Sequence, residues 1–180
     1  MTRIALILIM LIASTCARPV IRSRMLPEHC SSWPSLPLYV DLRDSAADYI
    51  VAVNDAMEEW NEAVGTTVFA WANRDDNANV FVMEGEIKGD TAGYTGNLCI
   101  GGAIRSFVIL EPALDALQAP AFATHELGHA LGLAHSESPS SIMYPVVYAS
   151  LMAEWDDDHE PPKQSIRAVD AELVRKLRGQ

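Results

Sequence analysis

The stretch "HELGHALGLAH", residues 125–135, decides how this chain is read. Three of the chain's five histidines stand in it, with one glutamate and two glycines. The spacing predicts a helix over about residues 118–133. His125 and His129 are four apart, so on a helix they leave the same face one turn from each other. Two imidazoles so placed can reach a single Zn²⁺ at about 2.0–2.1 Å. Glu126 can then set a carboxylate beside a water on that ion without binding the ion itself. Gly132 has no Cβ and can take a backbone angle that stops the helix and turns the chain. On an unbroken helix His135 would lie about 9 Å along the axis from His129, too far to share an ion. The glycine is therefore part of the construction, because the turn carries His135 back. Three neutral histidines leave a fourth position open, the mark of a catalytic rather than a structural zinc site. Glu126 is the expected general base, and afterwards the acid, in hydrolysis of a carbonyl-linked bond. A helix with incidental surface histidines would have to reproduce five fixed positions by chance.

Outward from this stretch, the chain alternates strands and helices. "LPLYVDLRD" (36–44) reads as a strand, and "DSAADYIVAVNDAMEEWNEAVG" after it as a helix. Asp44 or Ser45 is placed to cap that helix and Gly65 to end it. Ile50, Val53, Met57, Trp60 and Val64 recur at spacings of three and four, which predicts one apolar face on a core. "TTVFAWA" (66–72), "VFVMEGEI" (80–87) and "AIRSFVIL" (103–110) are rich in β-branched and aromatic residues and read as strands, with "GYTGNL" as a short edge strand. The last helix is "SIRAVDAELVRKLRG", with Ile166, Val169, Leu173, Val174 and Leu177 expected on its packed side. This order suits a mostly parallel sheet crossed by helices, with one antiparallel edge strand.

The N-terminus differs in kind. Arg3 is followed by ten apolar residues, "IALILIMLIA", too few to span a bilayer and fitting for the core of a signal peptide. Residues 1–17 are read as that signal, with cleavage after Ala17 or, alternatively, a lipoprotein signal ending at a lipidated Cys16. Residues 18–36 read as a lead-in segment, and 37–180 as one catalytic domain. With Cys16 removed or lipidated, Cys30 and Cys99 remain as an even pair that could form a disulfide in an oxidising compartment, or stay as two thiols. A net charge of −11 argues against nucleic acid and against an anionic membrane surface; contact with a membrane is expected only if Cys16 is lipidated.

"HELGHALGLAHS", with Met143 of "SIMYP" eight residues beyond His135, resembles the metzincin clan of zinc endopeptidases, and within it the matrixins. Ser136 is the matrixin type of residue after the third histidine. "AMEEWNEAVGTTVF" (56–69) and "DAELVRKLRG" (170–179) are similar to matrixin stretches, so the resemblance runs over roughly residues 37–180. It implies an α+β, zincin/metzincin-like domain: a twisted, mostly parallel sheet with one antiparallel edge strand, two long helices, and a small C-terminal subdomain ending in a helix. It implies one catalytic zinc on His125, His129 and His135, Glu126 as the catalytic residue, and Gly132 and Met143 as residues that shape the site. It implies a protein or peptide substrate added along the edge near Gly93–Leu98, a pocket wall at Pro145–Tyr148, and a monomer. Two matrixin features are missing. "PEHCSSW" around Cys30 does not match the cysteine-switch motif, and residues 88–107 hold no histidine for a second zinc. Calcium at Asp156–Asp158 is a weaker expectation, since a charge run is usually solvated. The competing reading is a zinc-holding module that binds peptides without cutting them. Glu126 counts against it, because a binder has no need of a base.

Overall fold

The β-branched and aromatic runs become strands of one sheet, and the apolar faces of two long helices cover one side of it. In the computed structural model, residues 34–73, 77–87, 92–112, 114, 118–145 and 164–178 are described. Strand β1 is Leu38–Leu42, and a 3₁₀ segment, Asp44–Tyr49, leads from it into helix α1, Ile50–Val64. Strands β2 (Phe69–Trp71), β3 (Val80–Glu84), β4 (Gly93–Ile100) and β5 (Ala103–Leu110) follow, then helices α2 (Gln118–Ala130) and α3 (Ala168–Arg178). The sheet order is β2-β1-β3-β5-β4. β1 pairs in parallel with β2 and β3, and β3 with β5; β4 alone of these runs antiparallel, against β5 from Gly93↔Leu110 to Ile100↔Ala103. The expected α+β fold, a mostly parallel sheet with one antiparallel edge, is therefore the observed one. The sequence places only "GYTGNL" at that edge; the strand extends two residues further, to Ile100, before the Gly101–Gly102 turn.

The core lies between the sheet and helices α1 and α2. Alternation along β5 buries Ile104, Ser106, Val108 and Leu110. Leu38, Val40, Val80 and Val82 join them from β1 and β3. Val53, Met57, Trp60 and Val64 of α1 cover these residues, with Phe122, Ala123 and Leu127 of α2. Asn61 stitches α1 to the start of β2: its Oδ1 accepts from the Val68 and Phe69 amides at 2.6 and 2.9 Å. α1 ends at Gly65 in a left-handed conformation, as its sequence indicates.

Four local expectations are corrected. Ile50 does not join the packed face of α1; it is 54% exposed, because it stands in the first turn about 50° round the axis from the centre of the stripe formed by Val53, Met57, Trp60 and Val64. No side chain caps these turns; the Ser45 hydroxyl instead accepts from the Glu84 amide at 3.3 Å, tying the segment to β3. On α3 the buried residues are Asp170, Ala171 and Val174, while Val169, Leu173 and Leu177 are exposed. α2 ends at Ala130, before the expected Leu133. Among the described residues no helix is long and apolar enough to cross a membrane.

Candidate metal centre

The turn after α2 does two jobs with one set of backbone bonds. Gly132 takes φ 94°. Its N–H donates to His129 O at 2.9 Å, and the Leu133 N–H donates to Gly128 O at 3.1 Å. This is a Schellman stop, with the glycine in the position that disfavours a Cβ. The same turn presents Leu133 O to His129 Nδ1 at 2.8 Å. His125 Nδ1 meets Ile142 O at 2.6 Å. A carbonyl only accepts, so each Nδ1 carries the proton and each Nε2 is left with its lone pair. The turn also brings His135 round, so that its ring centroid lies 5.3 Å from that of His125 and 4.8 Å from that of His129. One ligand atom from each of the three residues lies within 4.8 Å of the others.

Burial keeps the His125 and His129 rings neutral, while His135 is more exposed. His125 is lowered to about 3, chiefly by desolvation and then by the repulsion that a second imidazolium at His129 would bring, against the Ile142 carbonyl that favours the charged ring. His129 falls to about 4 for the same leading reason, and His135 is lowered by burial as well. Three imidazoles, two of them with their tautomers fixed, suit a divalent zinc ion and would leave a position for a water or substrate.

Glu126 is 4% exposed, and burial pushes it up to about 7, with the Thr95 hydroxyl pulling part of the way back. Thr95 Oγ1 lies 2.6 Å from Glu126 Oε2 and 3.0 Å from Glu126 O. One residue pair further along β4, Asn97 Nδ2 donates to His129 O at 3.3 Å, and Ser106 Oγ donates to Asn97 Oδ1 at 2.6 Å. The edge strand is thus bonded to α2 at the Glu126 side chain and at the carbonyl of His129. From the other side, Trp60 Nε1 of α1 donates to Thr124 O at 2.8 Å, holding the turn that precedes His125.

Met143 is buried in a tight turn whose Tyr144 N–H donates to Ser141 O at 3.0 Å. Met143 O accepts from the Ser136 N–H at 2.7 Å, joining this turn to the residue after His135. Ser141 Oγ accepts from the Met143 N–H and donates to Asp170 Oδ2, at 3.0 and 2.9 Å. Asp170 Oδ2 also accepts from the Arg167 N–H at 2.9 Å, at the start of α3. Met143 therefore sits in the turn that supplies the carbonyl partner of His125.

The sequence reading singles out His125, Glu126, His129, Gly132, His135 and Met143, and the fold gathers all six. It misses Thr95, Trp60 and Asp170. Thr95 and Gly93 alternate onto one face of a strand, which is a signal, but nothing in the sequence says that α2 crosses that face. Cys99 is disulfide-bonded; Cys30 lies outside the described residues, as do Cys16, His29, His159, residues 146–148 of the expected pocket wall and Asp156–Asp158.

Comparison with known proteins agrees with this geometry. Human matrix metalloproteinase-26 is 40% identical over 58 residues, which is 32% of this chain and 19% of that protein. Matrilysin of Rattus norvegicus is 78% identical over 23 residues, 13% of this chain and 9% of that one. Matrilysin of Felis catus is 72% identical over 25 residues, 14% and 10% of the two chains. The matched stretches span about a fifth or less of the length of these relatives. The family model for matrixins matches residues 52–164, more than half of the chain and the whole of the histidine stretch, and the chain belongs to that family of zinc metalloendopeptidases.

Proposed function

We propose that this chain is an exported, zinc-dependent endopeptidase. The observation that carries the reading is the convergence of three imidazoles, two from α2 and one from beyond Gly132, on a helix that also carries the buried Glu126, next in the chain to His125. His125 and His129 would hold the ion through the Nε2 atoms that their carbonyl partners leave free, and His135 would supply the third nitrogen. Zinc bound there supplies Lewis acidity, which polarises a peptide carbonyl and lowers the pKa of a bound water to about 7. Glu126 takes a proton from the attacking water and later returns it to the leaving amine. The carboxylate suits both tasks, since burial has already raised its pKa to about 7. The edge strand β4 runs beside Glu126 and offers its outer backbone to an extended peptide, which fixes the scissile bond along the strand.

The matrixin relationship supports protein or peptide substrates. Export follows from the apolar run at residues 4–13, and a disulfide between Cys99 and Cys30 fits it. On this reading residues 1–17 are the signal, 18–36 the lead-in and 37–180 the catalytic domain; mass spectrometry of the mature N-terminus distinguishes cleavage after Ala17 from lipidation of Cys16.

The test is hydrolysis of a mixed unfolded-protein substrate and a peptide library by zinc-loaded protein, with and without chelator. Cleavage that chelator abolishes is expected. Glu126→Ala should fold, bind one zinc and lose hydrolysis by at least about a hundredfold, the range for a positioned acid–base group. Full activity in that variant would sink the mechanism. Tight peptide binding without cleavage by the wild type would favour the binding module instead.

A further inference from the structure

The two oxygens of Glu126 are not equivalent. Oε2 is engaged by the Thr95 hydroxyl at 2.6 Å. Oε1 has no hydrogen-bond partner among the described residues, and it lies against the backbone of Gly93. A Cβ built on Gly93 would stand 2.7 Å from Oε1 and 2.8 Å from Glu126 Cγ, closer than side chains tolerate. Gly93 and Thr95 are two apart on β4, so their substituents leave the same face of the strand. That face meets α2 at Glu126, where Thr95 Oγ1 also lies 3.0 Å from the Glu126 carbonyl. One residue of the pair supplies a donor and the other supplies room.

We infer that the edge strand selects the working oxygen of the base: Thr95 is a positioning residue that occupies Oε2, and Gly93 leaves space for Oε1 to take and return the proton. The inference rests on the peptidase reading above. As the water oxygen forms its bond to the substrate carbonyl carbon, one water proton passes to Oε1. As the C–N bond breaks, the proton on Oε1 passes to the leaving nitrogen. The Thr95 O–H bond stays intact through both steps and donates to Oε2 whether Oε1 is bare or protonated. Without that bond the carboxylate can turn about its Cγ–Cδ axis and exchange its oxygens. A single fixed orientation is worth rate because a base misplaced by an ångström loses much of its effect.

The test uses the zinc-loaded full-length chain with Thr95→Val, Thr95→Ser and Gly93→Ala, each checked for one zinc per chain. Thr95→Val keeps the shape and the strand preference but removes the donor. It should lower kcat on the order of ten- to a hundredfold, the loss expected for one hydrogen bond to a charged group, with KM within about threefold of wild type. Thr95→Ser restores the hydroxyl and should return kcat to within about threefold. Gly93→Ala should lower kcat by displacing Oε1 while zinc content stays the same. Crystal structures give a readout apart from turnover: the Glu126 carboxylate keeps its orientation in Thr95→Ser and turns in Thr95→Val. An active wild type with undiminished kcat and an unmoved carboxylate in Thr95→Val overturns this inference and leaves the peptidase reading standing. A wild type that cleaves nothing overturns both.

Discussion

At the scale of single residues, the site holds opposing ionisation preferences. His125 and His129 are held near 3 and 4, below their ordinary value of 6.5, because burial penalises the imidazolium. The unfolded chain therefore binds more protons at these positions than the folded one. Their stabilising contribution is complete above about 6.5 and is lost as pH falls toward 4 and 3. Glu126 has the other sign: raised from 4.5 to about 7, it favours the folded state at low pH and loses that advantage as pH rises through 7. Between 4.5 and 6.5 two histidines oppose one glutamate, so metal-free protein should lose stability on acidification, with a slope that Glu126 blunts. Glu126→Gln removes the blunting term. Urea melts of chelated protein at a series of pH values should show the variant falling more steeply below 6.5 and standing above wild type at pH 8. Parallel curves for the two proteins would contradict the assignment of the raised carboxylate.

At the scale of elements, α3 acts on the site from a distance. Asp170 is 3% exposed and accepts from Ser141 Oγ and the Arg167 N–H, so one carboxylate joins the helix start to the turn that carries Ile142 and Met143. Ile142 O in turn is the partner of His125 Nδ1. Asp170→Ala should cost about 1.5–3 kcal/mol, the range for hydrogen bonds to a charged group, and should also weaken zinc binding although Asp170 touches no candidate ligand. Asp170→Asn keeps an acceptor and should lose less of both; calorimetric metal titration beside denaturant melts checks the pair. This linkage shows why some of the site was legible in the sequence and some was not. His125, His129, Gly132 and His135 are neighbours along the chain, and helix geometry alone relates them. The strands were legible because β-branched runs at 80–84 and 103–110 suit a pleated, half-buried surface. The face of α3 was not, because its apolar period favours Val169, Leu173 and Leu177, whereas the polar bond to Ser141 turns Asp170 inward. Thr95 was hidden for a related reason: its role depends on the β4–β5 register and on α2 crossing that strand, and both are long-range facts.

At the scale of the whole molecule, the three histidines come from two layers of different support. His125 and His129 ride on α2, which is bonded to β4 through Thr95 and Asn97 and to α1 through Trp60. His135 stands past the Gly132 turn, where the chain is fixed by the Ser136–Met143 backbone bond and by the turn that α3 holds. The part of the chain beyond Gly132 has few buried apolar side chains of its own among the described residues; Leu133, Ile142 and Met143 supply them, with Ala171 and Val174 of α3. An ion shared by all three imidazoles would therefore hold the part beyond Gly132 against α2 and the sheet, and metal binding would act as a local folding energy. Free ligand at a thousand times its dissociation constant adds about 4.1 kcal/mol to a state that alone can bind it. Removing zinc should therefore lower Tm, and the loss should be uneven. Amide exchange should accelerate at Ser136, Ile142, Met143 and Tyr144, whose N–H groups are bonded within this part, while Val82 and Val108 in the sheet interior keep their protection. Hydrogen-exchange mass spectrometry of zinc-loaded and chelated protein reads this directly. Uniform acceleration across sheet and turn alike would mean that the ion stabilises the domain as one unit, and no change at any amide would mean that these histidines hold no ion.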